Sequence, residues 1–417
     1  MTRARTLLTS VLELLNSNIK RFFLLFNIGL TVRLGYNIAN GLYLFTFPNE
    51  PQNIAHAILR GEGFANPFIL PTGPSAHLAP GFPFLLAGIY KLFGTGVEGL
   101  FAADVLNSAI SATVGALLPV AAALCGVSPI VGFLAGLLYA LVPPQPYTES
   151  KGGWEAPIGA LVLLLAFILI RRLIQSRDLD KGNAALAGLL IGLAGLFLPT
   201  LCPVIFVFII ILFAYKREYA KQVAAFGLVA LLVALVMVGP WFVRNRMVFG
   251  HWVPIRDNLG LELHVAYWDK SAPSLKENLI IRSHFKVHPH VNASEAMKVR
   301  EYNEVEYNNV QMAAAKEWIS QHPGSFLQLT WKHFELFWLF GIRSISLLPF
   351  SLLGLWWVWK HDKASSFLLA AIFVVHPLIY YFVQFDPRYR HPLDWAIILT
   401  AMIGSAWAFQ RARAFRW

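Results

Sequence analysis

The stretch QVAAFGLVALLVALVMVGP, residues 222–240, runs for nineteen positions without a charge, between Lys221 and the cation-bearing segment WFVRNRMVFG at 241–250. About 20 apolar residues in a helix cross the hydrocarbon layer of a bilayer. The reading is therefore a membrane-spanning helix. Nine further runs repeat the pattern: Arg21–Tyr43, Val97–Leu124, Ile130–Pro146, Ala156–Ile170, Asn183–Pro199, Leu201–Tyr215, Arg343–Trp359, Ala364–Val383 and Pro392–Gln410. Two shorter stretches, Gly81–Phe93 and Phe326–Gly341, suit the interface or partial entry into the bilayer. The expected fold is an all-α polytopic membrane protein with ten transmembrane helices and two long external loops carrying short interfacial helices.

Composition agrees. Hydrophobic residues make up 57% of the 417 positions and charged residues 14%, with a mean hydropathy of +0.56; soluble domains carry about 25% charged residues. The net charge of +11 does not form one basic face of the kind that binds nucleic acid, because Lys and Arg fall in short clusters between apolar runs. Those clusters (Arg3, Arg5, Lys20 and Arg21; Arg171, Arg172, Arg177 and Lys181; Lys216, Arg217 and Lys221; Lys360 and Lys363; Arg411, Arg413 and Arg416) occupy alternate loops. Positive loops stay in the cytoplasm. The rule puts both termini inside and leaves Leu44–Gly96, Pro143–Glu155, Pro199–Leu201, Trp241–Gln328 and Gln384–His391 on the external face.

Residues 1–20 read as an amphipathic helix on the membrane surface, and they lack the pattern of a cleaved signal peptide. Cys125 and Cys202 fall at opposite faces, too far apart for a disulfide. Three regions follow: 1–240, a transmembrane catalytic module including the first external loop at 44–96; 241–328, a large external loop; and 329–417, a C-terminal transmembrane module. No internal repeat is visible, which weighs against transporters built from duplicated halves.

The first external segment contains FPNEPQNIAHAILRGEGFANPFILPTGPSAHLAPGFPFLLAGIYKLFG. Asn49 suits an N-cap, Glu50 and Pro51 a first turn, and Gly61 a C-terminal stop, predicting a short helix along the membrane. Ile54, Ala57 and Ile58 are expected to face lipid, and Asn53, His56 and Arg60 to share the polar face. NIAHAILRGEGF with APGFPFLLAGIYKLFG, PWFVRNRMVFG at 240–250, and PRYRHP at 387–392 occur in this order on one face. With them the chain resembles the GT-C superfamily of polytopic glycosyltransferases, in its protein O-mannosyltransferase and lipid A aminoarabinose transferase branch, glycosyltransferase family 39.

The resemblance implies inverting transfer of a sugar from a polyprenyl-phosphate donor on the external face, with Glu50 in the place of the family's catalytic acid. Asn49 replaces one member of the family's acidic pair. Ala79, with His77 nearby, stands where the aminoarabinose transferases carry a Lys. The resemblance also implies a metal-independent enzyme.

The chemistry stands on its own residues too. A surface carboxylate with a pKa of about 4.3 is ionised at neutral pH and takes the proton of an acceptor hydroxyl. The leaving phosphate departs as an anion and needs fixed positive charge. Arg244, Arg388 and Arg390 are the candidates for holding the donor phosphate, with lipid-facing anchoring as the plainer alternative. Asn53, His56, Arg60, His77, Glu155, Tyr389 and His391 are candidates for positioning substrate; for Arg60, His56 and His77 a structural role competes. His284, His288 and His290 offer divalent-metal spacing, against simple solvation in a loop. Asn292 opens a glycosylation triplet of no weight.

Arg33 falls inside the first span, where a charge needs a partner, and Asp104 and Asp394 are candidates. The expected partners are a lipid-phosphate sugar, a lipid, glycan or protein acceptor, and membrane lipids, at a bacterial inner membrane with the active site on the periplasmic side. A surface-polysaccharide polymerase or ligase would share this chemistry. A lipid or solute transporter or flippase is the competing class; it would place its polar groups midway through the bilayer.

Overall fold

In the computed structural model, which describes residues 18–44, 49–141, 150, 154–176 and 179–414, the chain is built of helices, with no strand among the described residues. The surface helix expected over 1–20 lies almost wholly outside them. Among the described residues, six helices are long and apolar enough to cross a membrane: Ile19–Ala39, Val97–Leu124, Ala156–Gln175, Arg217–Phe249, Lys363–Tyr381 and Pro387–Ala412. Of the remaining expected spans, Pro129–Leu141, Lys181–Phe197 and Pro199–Tyr215 are shorter apolar helices. The last, Gly341–His361, has 21 residues but ends in a mixed aromatic and basic turn. Length and composition alone thus support an integral membrane protein without fixing the count at ten.

The bundle comprises α1 (Asn18–Ala39), α2 (Glu50–Leu59), α3 (Gly81–Phe93), α4 (Val97–Leu124), α5 (Pro129–Leu141), α6 (Ala156–Gln175), α7 (Lys181–Phe197), α8 (Cys202–Tyr215) and α9 (Ala220–Phe249). After the second external segment come α15 (Pro323–Leu339), α16 (Gly341–His361), α17 (Lys363–Val375) and α18 (Asp394–Ala414). Without a hydrophobic drive between helices in lipid, close packing decides which pairs form. At the α16–α18 crossing a Cβ on Gly354 would lie 1.8 Å from the Thr400 carbonyl oxygen, and one on Gly404 2.1 Å from that of Phe350. Only glycine permits this approach, which a Ser351 Oγ to Thr400 Oγ1 hydrogen bond of 2.7 Å reinforces.

Arg33 is buried and donates to the carbonyl oxygens of Tyr139 and Ala140, at 3.2 and 3.3 Å, in the last turn of α5. Carbonyls at a helix C-terminus carry partial negative charge, so the helix end itself serves as a partner.

Two differences from the sequence reading shape the external face. α9 does not stop at Pro240 but continues to Phe249, where Gly250 at φ +71° turns the chain; Trp241, Arg244 and Asn245 are thereby carried out on a helix. In α2, Ile54 and Ala57 are not lipid-facing but fully buried, Ile54 packing with Phe64, Leu78 and Trp241. The covering layer is the second external segment, with α10 (Leu259–Ala266), α11 (Leu275–Ile280), α12 (His284–Val287), α13 (Ala293–Tyr302) and α14 (Glu304–Gln321). Phe68 of the first segment joins Leu261, Val265, Ala296, Val299 and Tyr307 in one apolar core. The 384–385 strip is tied in by Leu275 N–H to Phe385 O at 2.9 Å and Asn278 Nδ2 to Gln384 Oε1 at 3.0 Å. All three motif-bearing segments thus meet above the bundle.

Candidate active site

Asn49 caps α2 through its side chain, which accepts the Gln52 N–H, while Gln52 accepts the Asn49 N–H. This reciprocal cap fixes the first turn, and Glu50 opens it, buried at 9% exposure. Two imidazoles face its carboxylate: His77 Nε2 at 3.4 Å and His288 Nε2 at 3.6 Å from Oε1. His284 stacks on His288, ring centroids 4.6 Å apart.

Burial pushes the Glu50 carboxyl up, but the His77 hydrogen bond and charge, with those of His290 and His288 behind, hold it well below the ordinary range. Burial pushes His77 down; Glu50, with Glu304 and Glu262 further off, prevails and raises it. Burial and the neighbouring His284 drive His288 well down against the pull of Glu50. Burial likewise lowers His284 to about 4. The carboxylate is thus ionised at neutral pH and His284 and His288 are neutral, while the carboxylate favours the protonated form of His77.

Glu50 and His77 line one end of a cavity of about 510 Å³. Its polar wall includes Trp154, Glu155, Arg256, Asp257, Glu262 and Arg388. The Arg388 guanidinium lies 3.7 Å from the centre of the Trp154 ring, a cation–π contact that orients it. Tyr389 lines the same space and stacks on Tyr380 at 4.6 Å. The other wall is apolar, from Leu198 and Pro203 to Val375, Leu378 and Val383. Leu378 keeps half its surface exposed, so the apolar end reaches the outside of the bundle.

The structure therefore brings Glu50, His77, Glu155, Arg388 and Tyr389 together. Other candidates are engaged elsewhere. Arg244 donates to Ser75 O at 2.7 Å and Phe64 O at 2.9 Å, with its guanidinium 4.7 Å from the Trp241 ring centre. Arg390 pairs with Asp394 at 3.0 Å, and His391 is buried beside the same carboxylate. Asn53 donates to Pro67 O at 2.9 Å, His56 is half-buried against Tyr90, and Arg60 pairs with Glu62 on the surface.

Sequence reasoning passed over Arg256, Asp257 and Glu262, although only three residues separate the run PIRDNLGLE from the PWFVRNRMVFG motif. It treated His288 as one loop histidine among several, yet His288 is only 5% exposed.

The chain shares its fold with solved structures of the oligosaccharyltransferase of Archaeoglobus fulgidus. One is a complex with Zn and sulfate, with 15% identity, a TM-score of 0.56, and coverage of 94% of this chain and 49% of that one. A second, the archaeal oligosaccharyltransferase AglB with an inhibitory peptide and a dolichol-phosphate, matches at 13% identity and a TM-score of 0.56, covering 96% and 51%. A third carries a tethered acceptor peptide containing the NVT sequon, at 14% identity and a TM-score of 0.56, covering 96% and 50%. The chain spans about half the length of these structures. No family model and no curated protein matches it.

Proposed function

We propose that this chain is an inverting membrane glycosyltransferase that moves a sugar from a polyprenyl-phosphate donor to an acceptor hydroxyl on the external face. One observation carries the reading: a single cavity is lined by an ionised Glu50, the Arg388 guanidinium and a group of apolar side chains that includes the half-exposed Leu378. The prenyl chain lies along the apolar wall, each buried methylene contributing about 0.8 kcal/mol. Arg388, with Arg256 lining the same cavity, receives the phosphate. Arg244 and Arg390 take no part in phosphate binding, since loop carbonyls and Asp394 already occupy them.

In the transfer, Glu50 accepts the proton of the acceptor hydroxyl as that oxygen attacks the anomeric carbon. The bond from that carbon to the phosphate oxygen breaks, and the lipid phosphate leaves with the electron pair. Guanidinium groups stabilise the charge growing on it. A single displacement inverts the anomeric centre, and no strong acid is needed for a phosphate leaving group.

Glu50, His77 and His288 also fit a divalent metal. Their ligand atoms all lie within 4.8 Å of one another, and tetrahedral ligands of zinc, about 2.0 Å from the ion, stand about 3.3 Å apart. His288 is neutral, with a lone pair to give, and His77 would have to release the proton that Glu50 favours on it. A metal held there would supply Lewis acidity to an acceptor hydroxyl. The protein's own part is to present the carboxylate and two imidazoles at that spacing.

The test is transfer by purified protein in lipid nanodiscs, using labelled polyprenyl-phosphate sugars. A product of inverted anomeric configuration is expected. Movement of lipid or solute across vesicle membranes with no glycosidic bond formed would replace this reading with transport.

A further inference from the structure

His77 reaches Glu50 from a loop, and a loop cannot by itself hold a side chain to a fraction of an ångström. The backbone ahead of it is gripped to an unusual degree. The Ser75–Ala76 peptide is bound at both ends: its carbonyl accepts from Arg244 Nη1 at 2.7 Å, and its N–H donates to Glu304 Oε1 at 2.6 Å. The next peptide is bound at both ends as well, with Ala76 O accepting from Asp257 N–H at 2.8 Å and His77 N–H donating to Ser75 Oγ at 3.0 Å. That Ser75 hydroxyl is in turn 2.6 Å from Glu304 Oε2.

Both grips converge on α14. Glu304 opens that helix, and one turn on, Asn308 Nδ2 donates to the Asp257 carbonyl at 2.9 Å. Burial pushes the Glu304 carboxyl up to about 7, against the charge of His77 and its hydrogen bonds to the loop. The geometry survives in either protonation state, because Oε1 accepts from Ala76 whether or not Oε2 carries a proton.

We propose that Glu304 and Arg244 are positioning residues, which set the His77 imidazole against Glu50 by fixing the two peptides that precede it. The inference rests on the reading of Glu50 and His77 as the active centre. It gives the external helical layer a part in the chemistry, and it assigns Arg244 of the PWFVRNRMVFG motif to the loop and not to the donor phosphate.

The test uses the full chain in nanodiscs with Glu304→Ala, Glu304→Gln and Arg244→Ala. Two readouts need no transfer activity: amide exchange of residues 75–77, and the imidazole ¹⁵N shifts of His77. Glu304→Ala is expected to speed exchange at least tenfold and move the His77 shifts away from their carboxylate-paired values. Glu304→Gln, whose amide oxygen still accepts from Ala76, is expected to restore both. For transfer, Glu304→Ala and Arg244→Ala should lower kcat at least tenfold with donor KM within about twofold, where losses of 10–100-fold are typical of supporting hydrogen bonds. Unchanged His77 shifts in folded Glu304→Ala would overturn the proposal, as would an Arg244→Ala variant whose defect lies in donor KM. A wild type without transfer would refute the proposed function, and the shifts would still decide this inference.

Discussion

At the scale of single residues, the proposed function divides the site into groups that meet substrate and groups that hold them, with Arg388 in the first. Arg388→Ala is expected to raise donor KM at least tenfold in a transfer assay, and Arg388→Lys to recover only part, because a lysine lacks the planar fork that grips phosphate and stacks on Trp154. A KM unmoved by Arg388→Ala would place the phosphate elsewhere. The place of Glu50 in the capped first turn of α2 was legible because Asn49, Glu50 and Pro51 are adjacent. Glu304 was not: its hydrogen bond to the His77 loop joins residues 228 positions apart, and local pattern carries no trace of such a pairing. Arg244 shows the intermediate case, for the sequence marked the residue while its carbonyl partners came only with the fold.

At the scale of elements, apolar runs gave the helices, while their ends depended on context. Pro240 reads as a stop, yet α9 passes through it. Ile54 reads as lipid-facing because an isolated amphipathic helix offers its apolar side to the bilayer; here Phe64, Leu78 and Trp241 cover that side. The α16–α18 crossing yields a prediction. Gly354→Leu cannot be accommodated against the Thr400 carbonyl and should lower the thermal midpoint in detergent, overpacking costing about 1–3 kcal/mol. An unchanged midpoint would mean that the two helices do not touch there.

A second concerns Asp362, which joins α16 to α17 and pairs with Arg171 at 2.7 Å. Burial raises its pKa, but hydrogen bonds from Ser365 and Arg171 outweigh this and lower it. A depressed carboxyl stabilises the fold above its unfolded pKa of about 3.9 and loses that contribution as pH falls through the folded value. Asp362→Asn should therefore lower the midpoint at pH 7 and lose less than wild type on acidification to pH 3. Equal acid sensitivity in the two proteins would remove the pair from the stability account.

At the scale of the whole molecule, charge distribution and fold make one topology. The positive clusters predict α14 outside and Arg217 in the cytoplasm. In a background lacking Cys125 and Cys202, Glu317→Cys should react with an impermeant maleimide in intact cells, and Arg217→Cys only after permeabilisation, both positions being exposed. The reverse pattern would invert the membrane placement of the site. The cavity is lined from the first external segment and from the PRYRHP segment, with PWFVRNRMVFG holding the first segment from behind; the shared core of Phe68 with Leu261 and Tyr307 was not readable from any single segment.

The account turns on one carboxylate, so the most direct measurement is transfer from a labelled polyprenyl-phosphate sugar by Glu50→Gln, checked for folding by its thermal midpoint. Removing a general base costs about 10²–10⁴-fold, and a loss of kcat in that range with donor KM retained is expected. Transfer at the wild-type rate would contradict the assignment of the active centre.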